Sequence, residues 1–406
     1  MNKQKEFTID DKKVKIEYLL TDKNIVDNLK IMIEGNLINN LINNELKTMS
    51  HEIDKFILSN NIKEYGGIYF ELIKRMEGEK INLSFVLSNY FFELFLELWK
   101  TLRKDLKIVH AIKIWDELIK FTIGWEDKNN FKIHKGTPYF FLGTGHLLDF
   151  GNLDVGFSCL YSAMEEDKNF SLKVNMPDDH RSKPAYLTLS MIENQANALY
   201  DPLIKDLIQA IKADIVNYNK LYSKGLTFQY FYQNFLNNPN LDQEKFFFVY
   251  NLHDFLTYKN IFTSHIGKTS FSDYKGLDIL FNFCLIIEVV LTYLYGKDKL
   301  FKNILEYTKK KFKIEESELL KISDLNRLNH KNPIFIFSDA INKILDDRVY
   351  YKNQKVDSSL NLLLLLWILR NYGGHRITID PIISERYGEI LTKILYALFL
   401  ICEEIN

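Results

Sequence analysis

The chain carries few residues that interrupt a helix. It has 17 glycines and 7 prolines in 406 residues, whereas proteins built from many short strands need such residues at every turn. Apolar residues recur at helical spacing from about residue 25 onward, and residues 36–44 (NLINNLINN) form one such stretch with an asparagine-rich polar face. These patterns predict a mainly α-helical protein.

Two shorter patterns refine the N-terminal part of this prediction. Phe7-Thr-Ile9 and Val14-x-Ile16-x-Tyr18 alternate around a polar turn, which predicts a small β-hairpin. Residues 138–167 read as a helical hairpin with small residues on the facing sides and a Gly151-Asn152 turn. That pair resembles one degenerate tetratricopeptide (TPR) repeat, although no second copy follows it.

The length of the chain predicts two or three domains. Residues 175–184 (NMPDDHRSKP) are polar and bounded by proline, which is typical of a linker. Ile266-Gly-Lys-Thr269 resembles the end of a phosphate-binding loop, but Phe262 stands where the second glycine is needed, so we interpret it as a connector. We therefore expect a helical region with the hairpin at 1–174, a helical middle region at 185–265 and a helical bundle at 271–406.

Charge and cysteine content exclude several classes of protein. The formal net charge is −1, so the chain is unlike proteins that coat nucleic acid and any RNA contact has to be local. Three scattered cysteines without a CxxC pair indicate a reducing cytosol and argue against structural zinc. The apolar runs at 277–295 and 391–402 are interrupted by charges or too short to span a bilayer, and no signal peptide precedes them. We expect a cytoplasmic protein without a membrane contact, a metal or a cofactor.

The most informative stretch is residues 362–375, LLLLLWILRNYGGH. An apolar helix ends in Arg370 and Asn371, and His375 follows two glycines. Histidine titrates near neutral pH and can take or give a proton, while arginine can clamp phosphate oxygens with parallel donors. Cleavage of RNA without a metal needs both functions, because the 2′-hydroxyl must lose a proton and the phosphate gains charge.

This Arg-Asn-x-x-x-His pattern between two apolar helices resembles the signature of HEPN-domain ribonucleases. The resemblance covers the last third of the chain and implies a helical catalytic bundle. The pattern of the residues fits this, since it predicts helices near 274–296, 299–312, 315–327, 334–347, 358–371 and 384–404. It implies a metal-independent endoribonuclease that leaves a 2′,3′-cyclic phosphate, acting in bacterial antiviral defence or as a toxin. Arg370 would hold phosphate, His375 would transfer protons and Asn371 would orient either group.

The reaction needs two groups that transfer protons, a base and an acid, whereas one arginine–histidine pair supplies only one. HEPN enzymes obtain the second group by dimerisation. The resemblance therefore implies a homodimer, for which residues 362–369 and 394–402 are the apolar candidate surfaces. RNA contacts are expected from five further basic residues: Arg376, Arg386, Lys309, Lys310 and Lys311. The N-terminal region would bind a regulatory protein or a ligand. The glycine pair before His375 and the absence of strand–helix alternation upstream depart from the pattern of CRISPR-associated members of the family.

Two observations support a different interpretation. Arg103 and His110 also lie at a loose version of the spacing, which shows that such pairs arise by chance. Arg370 can also cap its helix, with Gly373 ending it and His375 incidental. The alternative is thus a non-catalytic helical scaffold or regulatory binding partner, in which Arg370 and His375 are buried, ion-paired or capping.

Overall fold

Helices make up most of the chain in a computed structural model of the protein, so the predicted mainly α-helical fold class is confirmed. The structure describes residues 2–20, 26–52, 58–77, 83–174, 201–265, 270–328, 335–373 and 380–405. The chain divides into two units, Met1–Leu187 and Thr188–Asn406. The boundary expected near residue 270 lies inside the second unit, where the helices on either side of it pack against each other.

The first unit opens with an antiparallel sheet of four strands in sequential order, β1 (Asn2–Ile9), β2 (Lys12–Leu20), β3 (Val26–Ile33) and β4 (Asn36–Leu37). The predicted hairpin is present, and Asp10 and Asp11 make its turn with positive φ angles. The prediction was incomplete, because β3 extends the hairpin into a larger sheet. Ile31 and Ile33 alternate on its buried face, a pattern too short to stand out in the sequence.

The described residues of the first unit then form seven helices: α1 (Ile38–Glu52), α2 (Asn60–Met76), α3 (Leu83–Glu93), α4 (Leu96–Lys104), α5 (Ile108–Asn129), α6 (Gly136–Leu148) and α7 (Leu153–Val174). Helices α3 and α4 are separated by a short turn at Leu94 and Phe95. The aromatic side chains Phe91, Phe92, Phe95 and Trp99 of this region are buried.

Helices α6 and α7 form the predicted helical hairpin. Gly151 makes the turn with φ +63°, a conformation that glycine adopts without strain. A Cβ on Gly143 would lie 2.8 Å from the carbonyl oxygen of Gly156, so the two backbones touch at these residues. The small residues therefore serve close helix packing.

The second unit holds the remaining helices: α8 (Asp201–Tyr222), α9 (Phe228–Phe231), α10 (Asp242–His265), α11 (Ser270–Tyr295), α12 (Leu300–Phe312), α13 (Glu316–Leu325), α14 (Phe335–Leu345), α15 (Ser358–Gly373), α16 (Pro381–Glu385) and α17 (Tyr387–Cys402). A two-stranded ribbon, Tyr350–Tyr351 with Gln354–Lys355, precedes α15. The helices expected from residue 274 onward are present, except that Arg386 divides the last one into α16 and α17.

Helix α15 lies at the centre of the second unit and packs against α11, α12, α14 and α17. Its neighbour α11 contains the one helix segment among the described residues, Tyr274–Tyr295, that is long and apolar enough to cross a membrane. Half of that segment is buried inside the chain, and its other residues are half-buried or exposed.

Candidate functional site

The helix α15 presents Arg370 from a rigid support. Leu362–Leu366 upstream are at most 2% exposed, and Tyr372 stacks on Phe337 with 4.0 Å between ring centroids. The backbone at Arg370 is therefore fixed by buried residues that precede it and by a buried residue that follows it in the sequence. Arg370 itself stays at the surface, with 29% of its side chain exposed.

Two residues of α11 hold the guanidinium of Arg370. Its Nε donates a hydrogen bond to Glu288 Oε2 at 2.5 Å, and its Cζ lies 5.0 Å from the ring centroid of Phe281. Phe281 and Glu288 are seven residues apart, which places them on one face of α11. Charge-assisted bonding and stacking on a ring are two favourable interactions of arginine that lysine reproduces poorly.

This anchoring uses one edge of the guanidinium. Within the described residues, neither terminal Nη group of Arg370 makes a hydrogen bond. Cys284, one helical turn before Glu288, is fully buried beside the ion pair, and burial raises the pKa of its thiol despite the opposing charge of Arg370. Arg370 is thus held by one carboxylate, one aromatic ring and a buried thiol, and 29% of its side chain remains exposed.

The other residues of the signature are only partly described. Asn371 is exposed at the end of α15, where its amide can reach a bound molecule. His375 and Arg376 lie outside the described residues. The predicted pairing of His375 with Arg370 therefore stays a prediction.

Arg386 is engaged within the chain rather than open to a ligand. Its three nitrogens contact Glu389 at 2.7–2.9 Å, Asp346 at 2.8 Å and Asn342 at 2.9 Å. Lys393 lies close to this cluster, and burial lowers the pKa of its ammonium group. These contacts tie the end of α14 to the start of α17, which is sufficient reason for an arginine at this position.

The basic run at the end of α12 also has acidic partners. Lys310 lies 3.1 Å from Glu404, Lys311 forms a closer ion pair with the same carboxylate, and Lys309 lies 3.8 Å from Glu315. All three ammonium groups remain at least a third exposed. One buried carboxylate cannot neutralise two lysines, so a net positive charge remains.

The two apolar segments expected to form a dimer interface are buried within the chain, which corrects that prediction. Apart from Trp367, residues 362–369 are at most 3% exposed, and residues 394–402 are at most 5% exposed. Their surplus of apolar residues is used by neighbouring helices of the same unit. A different apolar surface is open: Phe281, Leu285, Val289 and Tyr293 recur every four residues along α11 and are partly or largely exposed. We call this the α11 strip.

A buried ionic cluster in the first unit was missed by the sequence reasoning. His134 Nε2 lies 2.5 Å from Asp167 Oδ1, and Lys135 Nζ lies 2.6 Å from Glu126 and 3.1 Å from Glu166. The cluster joins the end of α5 to α6 and α7. Its members are 33 and 9 residues apart in the two main pairs, so no local spacing could have indicated it. These pairs connect three helices of the first unit, which indicates a role in packing.

The second arginine–histidine pair in the sequence is a structural one. Arg103 donates from Nε and Nη2 to the two carboxylate oxygens of Asp149, at 2.9 Å and 2.6 Å. Its Cζ lies 4.8 Å from the ring of Trp99. Both sides of this pair are mostly buried, which explains why an arginine ends α4.

The described residues hold no group of three or more His, Cys, Asp or Glu side chains arranged to bind a metal ion. The arrangement of Arg370 on Glu288 and Phe281 is therefore the site whose geometry best fits recognition of an anion. No family model, curated protein or solved structure matches the chain.

Proposed function

We propose that the protein is a metal-independent endoribonuclease whose site is built around Arg370. The observation that carries this proposal is the way the side chain is held: Nε donates to Glu288, and neither Nη group has a hydrogen-bond partner among the described residues. A guanidinium fixed at its inner edge is preorganised to bind phosphate oxygens at its outer edge. The resemblance to HEPN ribonucleases adds the reaction, and with it a role in bacterial antiviral defence or as a toxin.

In this reaction the 2′-hydroxyl of a ribose attacks the adjacent phosphate, and the bond to the 5′-oxygen of the next nucleotide breaks. His375 takes the proton from the attacking hydroxyl or returns one to the leaving oxygen. Arg370 stabilises the additional charge on the phosphate, and Asn371 orients the sugar or the histidine. The products carry a 2′,3′-cyclic phosphate and a 5′-hydroxyl.

The second proton-transfer group comes from a second copy of the chain. We place the two-fold interface on the α11 strip. Glu288 lies on the same helix, and its ion pair with Arg370 holds the arginine next to this strip. The carboxylate of Glu288 offsets the charge of each arginine, which reduces repulsion between the two sites. The lysines at the end of α12 then lie on RNA-facing surfaces of each protomer.

The test is incubation of the purified protein with RNA in EDTA, followed by analysis of the product ends. We expect cleavage to cyclic phosphate ends, and loss of cleavage in His375→Ala. Intact RNA with the wild-type protein contradicts the proposal, as does equal cleavage by His375→Ala. Cleavage that requires added Mg²⁺ would contradict a metal-independent reaction at Arg370 and His375.

The second candidate function is a non-catalytic helical scaffold or regulatory binding partner. The ion pair between Arg370 and Glu288 favours it, since a salt bridge between two helices is a sufficient structural role. This alternative predicts that Arg370→Ala lowers stability without changing any activity on RNA. Chemical denaturation of this variant beside the cleavage assay separates the two functions.

A further inference from the structure

A groove in the first unit, between the start of α2 and the outer face of α5, encloses a cavity of about 490 Å³. This volume falls within the usual range of small-molecule sites, about 300–1,000 Å³. The residues that line the groove are Leu58, Lys63, Glu117, Lys120, Phe121, Gly124, Trp125 and Lys128. Three lysines and two aromatic rings therefore meet around one carboxylate.

The floor of the groove is rigid because the side chains of α5 that form it also pack against α2. A Cβ on Gly66 would lie 2.7 Å from Phe121, and four residues later the ring centroids of Phe70 and Trp125 are 5.5 Å apart. From the first contact to the second, the chain moves four residues forward in both helices, so α2 and α5 are parallel. Phe121 and Trp125 are fixed by the core on one side and remain partly exposed on the other.

The charge of the groove comes from two lysines on its rim. Within the described residues, the ammonium groups of Lys63 and Lys128 have no ion-pair partner, and both residues are exposed. Lys120 differs, since Asp116 and Glu117 lie 2.6 Å and 3.3 Å from its Nζ. The two unpaired lysines thus give a local positive charge beside the aromatic floor.

We propose that this groove binds a nucleoside monophosphate. The base stacks on the exposed parts of the Phe121 and Trp125 rings, and the phosphate lies between Lys63 and Lys128. Base–aromatic stacking tolerates any base, because every base has a π face. Two lysines supply point charges suited to a phosphate dianion. This site goes beyond the proposed ribonuclease activity and does not depend on it.

The neighbouring surface favours a single nucleotide over an extended nucleic acid strand. A second cavity of about 300 Å³ adjoins the groove and shares Leu58 and Lys63 with it. Glu45 and Glu52 line that cavity, and their carboxylates repel a continuing phosphate backbone. The positive region is therefore limited to one phosphate group.

The test is isothermal titration calorimetry of the full chain with AMP and UMP as purine and pyrimidine probes. We expect saturable binding of at least one of them, and at least tenfold weaker binding of adenosine, uridine and inorganic phosphate. The double variant Lys63→Glu/Lys128→Glu should weaken binding at least tenfold. Lys113→Glu is the matched control, because Lys113 is exposed on α5 outside the groove, and it should bind as the wild type does.

Gly124→Leu provides a test that leaves every charge in place. A Cβ at Gly124 meets no atom within 4 Å, so the helix accepts a side chain there, and leucine would fill the groove. We expect at least tenfold weaker nucleotide binding with an unchanged melting curve. Absence of binding to both nucleotides overturns the proposal, as does wild-type affinity in the double lysine variant. Tighter binding of a ten-residue oligonucleotide through the same lysines also overturns it, in favour of a strand.

Discussion

Two arginines occupy comparable positions in the two units of the molecule. Arg103 lies in the last turn of α4 and Arg370 in the last turn of α15. Each guanidinium lies over an aromatic ring, with Cζ 4.8 Å from the centroid of Trp99 and 5.0 Å from the centroid of Phe281. A histidine follows each of them in the sequence.

Their hydrogen bonds differ. Arg103 gives two nitrogens to a carboxylate whose side chain is 9% exposed, whereas Arg370 gives one nitrogen to a carboxylate that is 23% exposed. A bidentate pair uses the fork of the arginine inside the protein, while a single bond through Nε leaves the fork for another anion. The two arginines share a similar spacing to a following histidine and differ in their hydrogen bonds, so spacing in the sequence does not indicate how an arginine is held.

The largest expected difference between the two arginines is in RNA cleavage. Removal of one donor from a site that stabilises transition-state charge costs about 10²–10³ in rate. We expect Arg370→Ala to lower the cleavage rate by about this factor. Arg103→Ala should stay close to the wild-type rate in the same assay, and equal losses in both variants would contradict the distinction.

Stability should show the opposite order. Arg103→Ala leaves Asp149 mostly buried without its partner, and we expect a loss of about 1–3 kcal/mol in the free energy of unfolding. Arg370→Ala leaves a carboxylate that water can reach, so its cost should stay below about 1 kcal/mol. Urea denaturation of both variants measures this difference. A larger loss for Arg370→Ala would favour the scaffold function.

The sequence predicted the positions of the C-terminal helices well, but it did not predict which side chains contact each other. Helix limits follow from local periodicity, so α12 and α15 lie within about two residues of the expected limits. Glu288 is 82 residues from Arg370, and Asp149 is 46 residues from Arg103, so neither partner can be inferred from local spacing. The two segments predicted to form a dimer surface are buried for the same reason, since an apolar helix gives no sign of which of its faces its own chain covers.

A smaller effect is expected from the residue that positions Arg370. Glu288→Gln keeps a hydrogen-bond acceptor and removes the charge, which should cost about 1 kcal/mol of bonding, or roughly fivefold in rate. The loss should appear in kcat, with KM nearly unchanged. Asp149→Asn is the control in the first unit and should leave both constants unchanged. A rise in KM with kcat unchanged would show that Glu288 acts on substrate binding instead.

The central claim is that the open donors of Arg370 contact a phosphate, and salt-dependent binding tests it most directly. The measurement is the affinity for an RNA with methylated 2′-hydroxyls, which cannot be cleaved, over a range of salt concentrations. Loss of one phosphate contact on a single strand reduces the slope of log affinity against log salt by about 0.7. We predict this reduction for Arg370→Ala and an unchanged slope for Arg103→Ala. An unchanged slope in Arg370→Ala would contradict the account.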